Sequence, residues 1–149
     1  MRLTADPIDL EPLMKAALRP DRGGLAIFVG TVRDHHAGRT VRELEYSAYH
    51  PMAEAKLADI VAEAESRWSV TVVLRHRLGL LAIGETAVAV VVAGGHRDEA
   101  FAACRHVIEE LKRRVPIWKR ERYTDGSEAW VDPTAPGGVA SMGTAGSVE

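Results

Sequence analysis

The sequence is short of several things, and each shortage narrows what the protein can be. It contains one cysteine, Cys104, so no disulfide can close within the chain and no Cys-x-x-Cys redox pair or cysteine-rich metal set is available. That suits a reducing compartment, and a cytoplasmic protein is expected. Long apolar runs are missing: the longest, Ala87 to Ala93, has the length of a buried strand, not of a membrane span. Met1 to Asp6 carry no apolar signal core, so no secretory leader is expected. Charge of one sign is missing as well. The formal net charge is -2, which gives no global field toward nucleic acid or membrane. No internal repeat is visible, and neither is a Walker or dinucleotide-binding glycine pattern.

What is present is an ordinary globular balance, 46% hydrophobic and 27% charged, in 149 residues, enough for one domain with a real core. Residues 7–18 read as a short helix, and Arg19 to Gly24 as a turn. Leu25 to Val32 reads as a buried strand and Arg33 to Thr40 as an exposed loop. Val41 to Tyr49 alternates in the way of a strand paired with the one before. Pro51 opens a helix to about Trp68, with Leu57, Ile60, Val61, Ala64 and Trp68 on one stripe. Strands are expected over Val70–Leu78 and Glu85–Ala93. A second long helix follows over Arg97–Arg114, with Phe101, Cys104, Val107, Ile108 and Leu111 on one face. Pro116 stops it, and a hairpin around Asp125-Gly126 joins Ile117–Tyr123 to Ser127–Val131. The economical packing is α+β, with two long helices on one face of a mixed or antiparallel sheet. Residues 1–132 form the single expected domain, and the Pro-, Gly-, Ala- and Ser-rich stretch 133–149 is expected to be a disordered tail.

Three places can hold chemistry. Arg33 follows a buried strand, where loops at sheet ends carry function; a solvated loop arginine explains it as well. Gly94-Gly95-His96-Arg97 joins a strand to a helix whose start favours anions; a glycine-rich turn with a capping role is the plain alternative. The densest is Lys112 to Glu121. Between Arg105 and Arg122 stand seven Lys or Arg and three Glu. By helical angle Lys112 borders the apolar stripe, near Phe101 and Ile108, where partial desolvation raises its fraction of free amine. Such an amine serves as base or nucleophile. Lys119, past the proline break, can be brought into the same pocket by a helix-to-strand reversal. The plain alternative is a solvated charge run with snorkelling lysines. His35-His36 lack a completing ligand set, so no metal site is expected. His76 and Cys104 read as structural. RNA stacking on Trp118 is disfavoured because no RNP-type strand accompanies it.

Taken together, Phe28-Val-Gly-Thr-Val-Arg33, His96-Arg97, and Lys112 sixteen residues after His96, followed by Pro116-x-Trp118-Lys119-Arg120-Glu121, resemble the large, catalytic subunit of molybdopterin synthase, a MoaE-like family. Tyr49-His50-Pro51-Met52 and Arg67-Trp68 add to the likeness, which spans roughly residues 24 to 131. The resemblance implies an α/β hammerhead-like fold and a homodimer within a heterotetramer. It implies a small ubiquitin-like carrier whose C-terminal Gly-Gly tail bears a thiocarboxylate, and no cofactor. Sulfur would pass from that tail to cyclic pyranopterin monophosphate to form the molybdopterin dithiolene. It implies Lys112 and Lys119 as catalytic lysines. Arg33, His96, Arg97 and Arg120 would hold substrate, Arg97 from the opposite protomer, and Glu121 would orient Lys119 or Arg120. Ile117, Ile108 and Gly94-Gly95 depart from the family's usual residues in pocket shape, not in chemistry. The rival reading is a non-catalytic anion-binding scaffold for a ubiquitin-like partner.

Overall fold

A computed structural model describes residues 1–132 and 139–143. Strand β1 (Leu3–Thr4), helix α1 (Leu10–Ala17) and strand β2 (Gly24–Thr31) are followed by the short β3 (His35–His36) and the long β4 (Arg39–Ala48). Helix α2 (His50–Arg67), strands β5 (Val70–Arg77), β6 (Gly79–Ala82) and β7 (Thr86–Gly94), and helix α3 (Arg97–Arg114) come next. Strands β8 (Ile117–Tyr123), β9 (Glu128–Val131) and β10 (Val139–Gly143) complete the order. The expected elements all stand within a few residues of their places. The very short β1 and β3, together with β6 and β10, are additions that no long periodic pattern announces.

The strands form two sheets. One runs β1-β5-β7-β2, with β1 parallel to β5 and the other pairs antiparallel. The other runs β10-β9-β8-β4-β3, with β6 also on β4. This is the expected α+β class with mixed sheets, but the pairing of β4 differs. It does not lie beside β2. It pairs with β3, β6 and β8 instead, because the Ala37-Gly38 turn, both residues at positive φ, folds the intervening loop back as a hairpin. Of the stretch expected to be disordered, Val139–Gly143 stands as a strand against β9, while 133–138 and 144–149 lie outside the described residues.

The core forms on both faces of the first sheet. Ala103, Cys104, Val107 and Leu111 of α3 cover Val88, Val90 and Val92 of β7, and Leu57, Ile60 and Ala64 of α2 pack in the same cluster with Val70, Val72 and Leu74 of β5. On the other face, Leu13 and Ala17 of α1 cover Ala89, Val91 and Ala93. Being buried on both sides, β7 reads as a continuous apolar run instead of an alternating one. In α3, Ala100 takes the buried position while Phe101, expected on the core stripe, is 65% exposed. The residues facing inward are Ala100, Ala103, Cys104, Val107 and Leu111, because the close approach of α3 to the sheet admits only small side chains at its first turns.

Ile60 has no exposed surface and sits where α2 meets the sheet. Ile60→Ala is expected to cost about 2–5 kcal/mol of stability, seen as a lower urea midpoint; a change within error would show that this stripe does not anchor the fold.

Candidate active site

Two features of the chain create the site. The first is the Pro116 break. Helix α3 ends at Arg114, the Val115 N–H caps back to the Leu111 carbonyl at 3.0 Å, and the Ile117 N–H reaches the Val115 carbonyl at 2.8 Å. The chain therefore turns tightly into β8. The second is the two-residue period of β8, which pairs antiparallel with β4: Tyr46 opposite Lys119, Leu44 opposite Glu121, Glu45 opposite Arg120. Lys119 and Glu121 share one face of the strand, and Arg120 and Arg122 the other.

Lys112, in the last turn of α3, and Lys119 together line a cavity of about 40 Å³ with Tyr46, His76, Leu111, Val115 and Ile117. Lys112 keeps an open side toward solvent, yet burial of its amine is the main cause of a pKa below the ordinary lysine range. The positive charges of Lys119 and Arg33 push it down further. The expected neighbours Phe101 and Ile108 are not in this cavity. They line a larger groove of about 430 Å³ between β2 and α3 with Ala26, Ile27, Phe28 and Cys104, whose charged members Arg105 and Glu109 neutralise each other at 2.7 Å. That groove is mainly apolar, with its one charged pair mutually neutralised, so the smaller cavity is the candidate site.

Two further residues line the cavity: His76, whose sequence context suggests a structural role, and Tyr46, which no motif marks as a site residue. Burial pushes the Tyr46 hydroxyl up to about 12, with help from the negative charge of Glu121 and opposition from Arg33. His76, buried on β5, stands edge-on to the Tyr46 ring at 4.9 Å. Its Nδ1 lies 2.7 Å from the Arg77 carbonyl, so Nδ1 carries the hydrogen and Nε2 the lone pair. Burial drops its pKa to about 4, with the charge of Lys112 adding to the effect. The signal for His76 was a titratable ring inside a strand of alternating burial; for Tyr46, it was its place two residues after Leu44 on the inward face of β4.

The remaining candidates fall in three places. Arg33, exposed beyond the β2 bulge at Gly30/Thr31, acts electrostatically on both Lys112 and Tyr46 and so belongs to the lysine site. A Cβ at Gly30 would meet Val88 at 2.8 Å, so this glycine serves packing and the bulge. Glu121, 2% exposed, lies 3.6 Å from the Lys119 amine and does not touch Arg120. Arg120 points to the opposite sheet face, paired with Glu45, 3.9 Å from Glu128 and over the Trp130 ring at 5.5 Å. His96 and Arg97 are exposed at the far end of α3, where the His96 N–H donates to Glu99 at 3.0 Å. Fifteen residues of helix, roughly 22 Å at 1.5 Å per residue, separate Arg97 from Lys112 within one chain. The Gly94 space is taken by Glu99 and Ala100, which gives that glycine a packing reason.

An α+β domain that sets a partly desolvated lysine beside a second lysine and an arginine has the charge to hold an anionic substrate next to an amine, an arrangement of the transferase class. Known proteins point the same way. Residues 3–114 match the family model described as MoaE protein, and the chain belongs to that family. It is 45% identical over 131 residues, 87% of this chain and 88% of the other, to molybdopterin synthase catalytic subunit 1 of Mycobacterium tuberculosis. A crystal structure of molybdopterin synthase from Staphylococcus aureus superposes with a TM-score of 0.82 at 37% identity, covering 87% of this chain and 94% of that one. A complex of subunits 1 and 2 of molybdopterin-converting factor from Helicobacter pylori shares the fold, with a TM-score of 0.70 at 24% identity over 83% and 85% of the two chains. Among the described residues no helix is long and apolar enough to cross a membrane.

The depressed His76 makes stability depend on pH. The unfolded chain takes up this proton near 6.5, the folded protein only near 4. The group therefore costs nothing above pH 6.5 and progressively destabilises the fold as pH falls toward 4, by on the order of 3 kcal/mol. His76→Gln is expected to lose less stability than wild type between pH 7 and pH 4.5 in urea titrations; an equal loss would show that the imidazole is not the group responsible.

Proposed function

We propose that this chain is the catalytic subunit of a molybdopterin synthase, moving sulfur from the thiocarboxylate of a small ubiquitin-like carrier to cyclic pyranopterin monophosphate and so building the molybdopterin dithiolene. The observation that carries the reading is the meeting of Lys112 and Lys119 at one narrow cavity with the charge of Arg33 acting on it, where burial and these adjacent charges hold the Lys112 pKa below the ordinary lysine range. An amine that gives up its proton more readily than an ordinary lysine, and that lines a narrow cavity, is suited to take a proton from an attacking water or sulfur, or to attack an acyl carbon. An ordinary surface ammonium can do neither at neutral pH. Lys119 supplies a second amine 3.6 Å from a buried carboxylate, and Arg33 supplies fixed positive charge for phosphate or pterin oxygens.

His96 and Arg97 enter this scheme through a second copy. They lie too far along α3 to meet Lys112 of their own chain, so a homodimer supplies them from the opposite protomer. The exposed edge of β2, with Ile27, Phe28 and Val29 uncovered and Phe101 beside them, offers the apolar surface such pairing requires. Each protomer then takes one carrier, making a heterotetramer; the Helicobacter pylori structure is a complex of subunits 1 and 2 of its converting factor, which supports a two-subunit assembly. Residues 1–132 serve as the catalytic domain. A single buried Cys104 suits work in the reducing cytoplasm with sulfur delivered from outside the chain. Arg120, tied to Glu45 and Glu128, acts in this reading as a brace of the sheet and not as a substrate ligand.

The test is reconstitution with a thiocarboxylated carrier and cyclic pyranopterin monophosphate, assayed for dithiolene product. Lys112→Ala and Lys119→Ala are each expected to keep the wild-type circular dichroism and to lose at least roughly 10²-fold in rate. Wild-type protein that binds carrier tightly yet makes no product would favour the scaffold reading.

A further inference from the structure

Glu121 is the one buried carboxylate among the described residues, and three donors converge on it. His36 Nδ1 lies 2.7 Å from Oε1 and the Tyr123 hydroxyl donates to the same oxygen at 3.0 Å, while the Lys119 amine stands 3.6 Å from Oε2. The first two are hydrogen-bond distances; the third is an ion pair not yet closed into one. His36 comes from the β3 hairpin, 85 positions earlier, and its side chain keeps 20% of its surface open. Neither the lysine chemistry nor the core accounts for it.

We propose that His36 is a positioning residue for Lys119: by holding Glu121 through Nδ1 it keeps the carboxylate from closing onto the lysine and leaves that amine free for the cavity. This rests on the reading of Lys119 as a working amine. The groups around Lys119 are Lys112 from α3, Tyr46 from β4 and His76 from β5, with Glu121 on its own strand, Tyr123 beyond it, and Arg33 acting on Lys112 and Tyr46. Glu121 is the negative member of that set, so whatever holds Glu121 governs how strongly the ammonium of Lys119 is favoured. The sign does not depend on the protonation of His36. A neutral imidazole donating from Nδ1 draws charge density from the carboxylate, and an imidazolium draws more. Removing either one returns that charge to Lys119 and raises its affinity for a proton.

The chain has four lysines, Lys15, Lys56, Lys112 and Lys119, so their Cε resonances can be followed separately by NMR in carbon-13 lysine-labelled full-length protein. Lys112→Arg and Lys119→Arg assign the two cavity signals. In His36→Ala the Lys119 midpoint is expected to rise by about one pH unit, while Lys15 and Lys56 do not move. His36→Asn, whose amide can donate to Glu121, is expected to bring it back toward wild type, and His36→Phe to behave like His36→Ala while keeping the ring volume. Turnover measured in parallel is expected to show a several-fold lower kcat with KM little changed. An unmoved Lys119 midpoint in His36→Ala and His36→Phe would overturn the proposal whatever happens to turnover. A wild type that makes no product would instead sink the synthase reading and leave the titration to decide the role of His36.

Discussion

Strand β7 is packed on both faces, and most of the architecture follows from that. A strand covered on two sides can carry no polar side chain without a partner, so Ala87 to Ala93 are all aliphatic: Ala89, Val91 and Ala93 face α1, and Val88, Val90 and Val92 face α2 and α3. Close-packing against these valines fixes the height and tilt of α3 on the sheet. Because Lys112 sits on the last turn of that helix, its position relative to β8 is set by the same contacts, far from any charged group.

The site itself is a balance of charges in a confined space. Two lysines and an arginine approach one another without an equal number of acids, which an exposed surface would resolve by solvation or by spreading the side chains apart. Here the fold holds them together while partly desolvating the Lys112 amine, and the cost is taken by Lys112, which gives up its proton more readily than an ordinary lysine. The neutral groups beneath it, Tyr46 held protonated and His76 held uncharged, add no positive charge of their own. Glu121 offsets part of the excess and is itself shared among His36, Tyr123 and Lys119. The outer face of the same sheet is the contrast: Arg120 and Arg122 are each paired with glutamates, Glu43, Glu45 and Glu128, in a ladder of cross-strand pairs, so neither arginine is left without an acid.

Local signals in the chain were enough to determine the three helices, the main strands, the break at Pro116 and the hairpin at Asp125-Gly126, because each rests on a period or a breaker that acts over a few residues. They also marked Lys112 and Lys119 as a pair worth attention. What the sequence could not determine was which face each neighbour of the lysines occupies. A slip of one position on β8 would put Arg120 in place of Lys119 at the cavity, and only pairing with β4 sets that register. The tertiary structure likewise decided that His36 and His76, 40 residues apart in the chain, converge on the same group of side chains, that Phe101 leaves the core, and that His96 and Arg97 stand a helix-length from Lys112. Those outcomes depend on contacts between residues distant in sequence, whose energies exist only once the sheets and helices have packed.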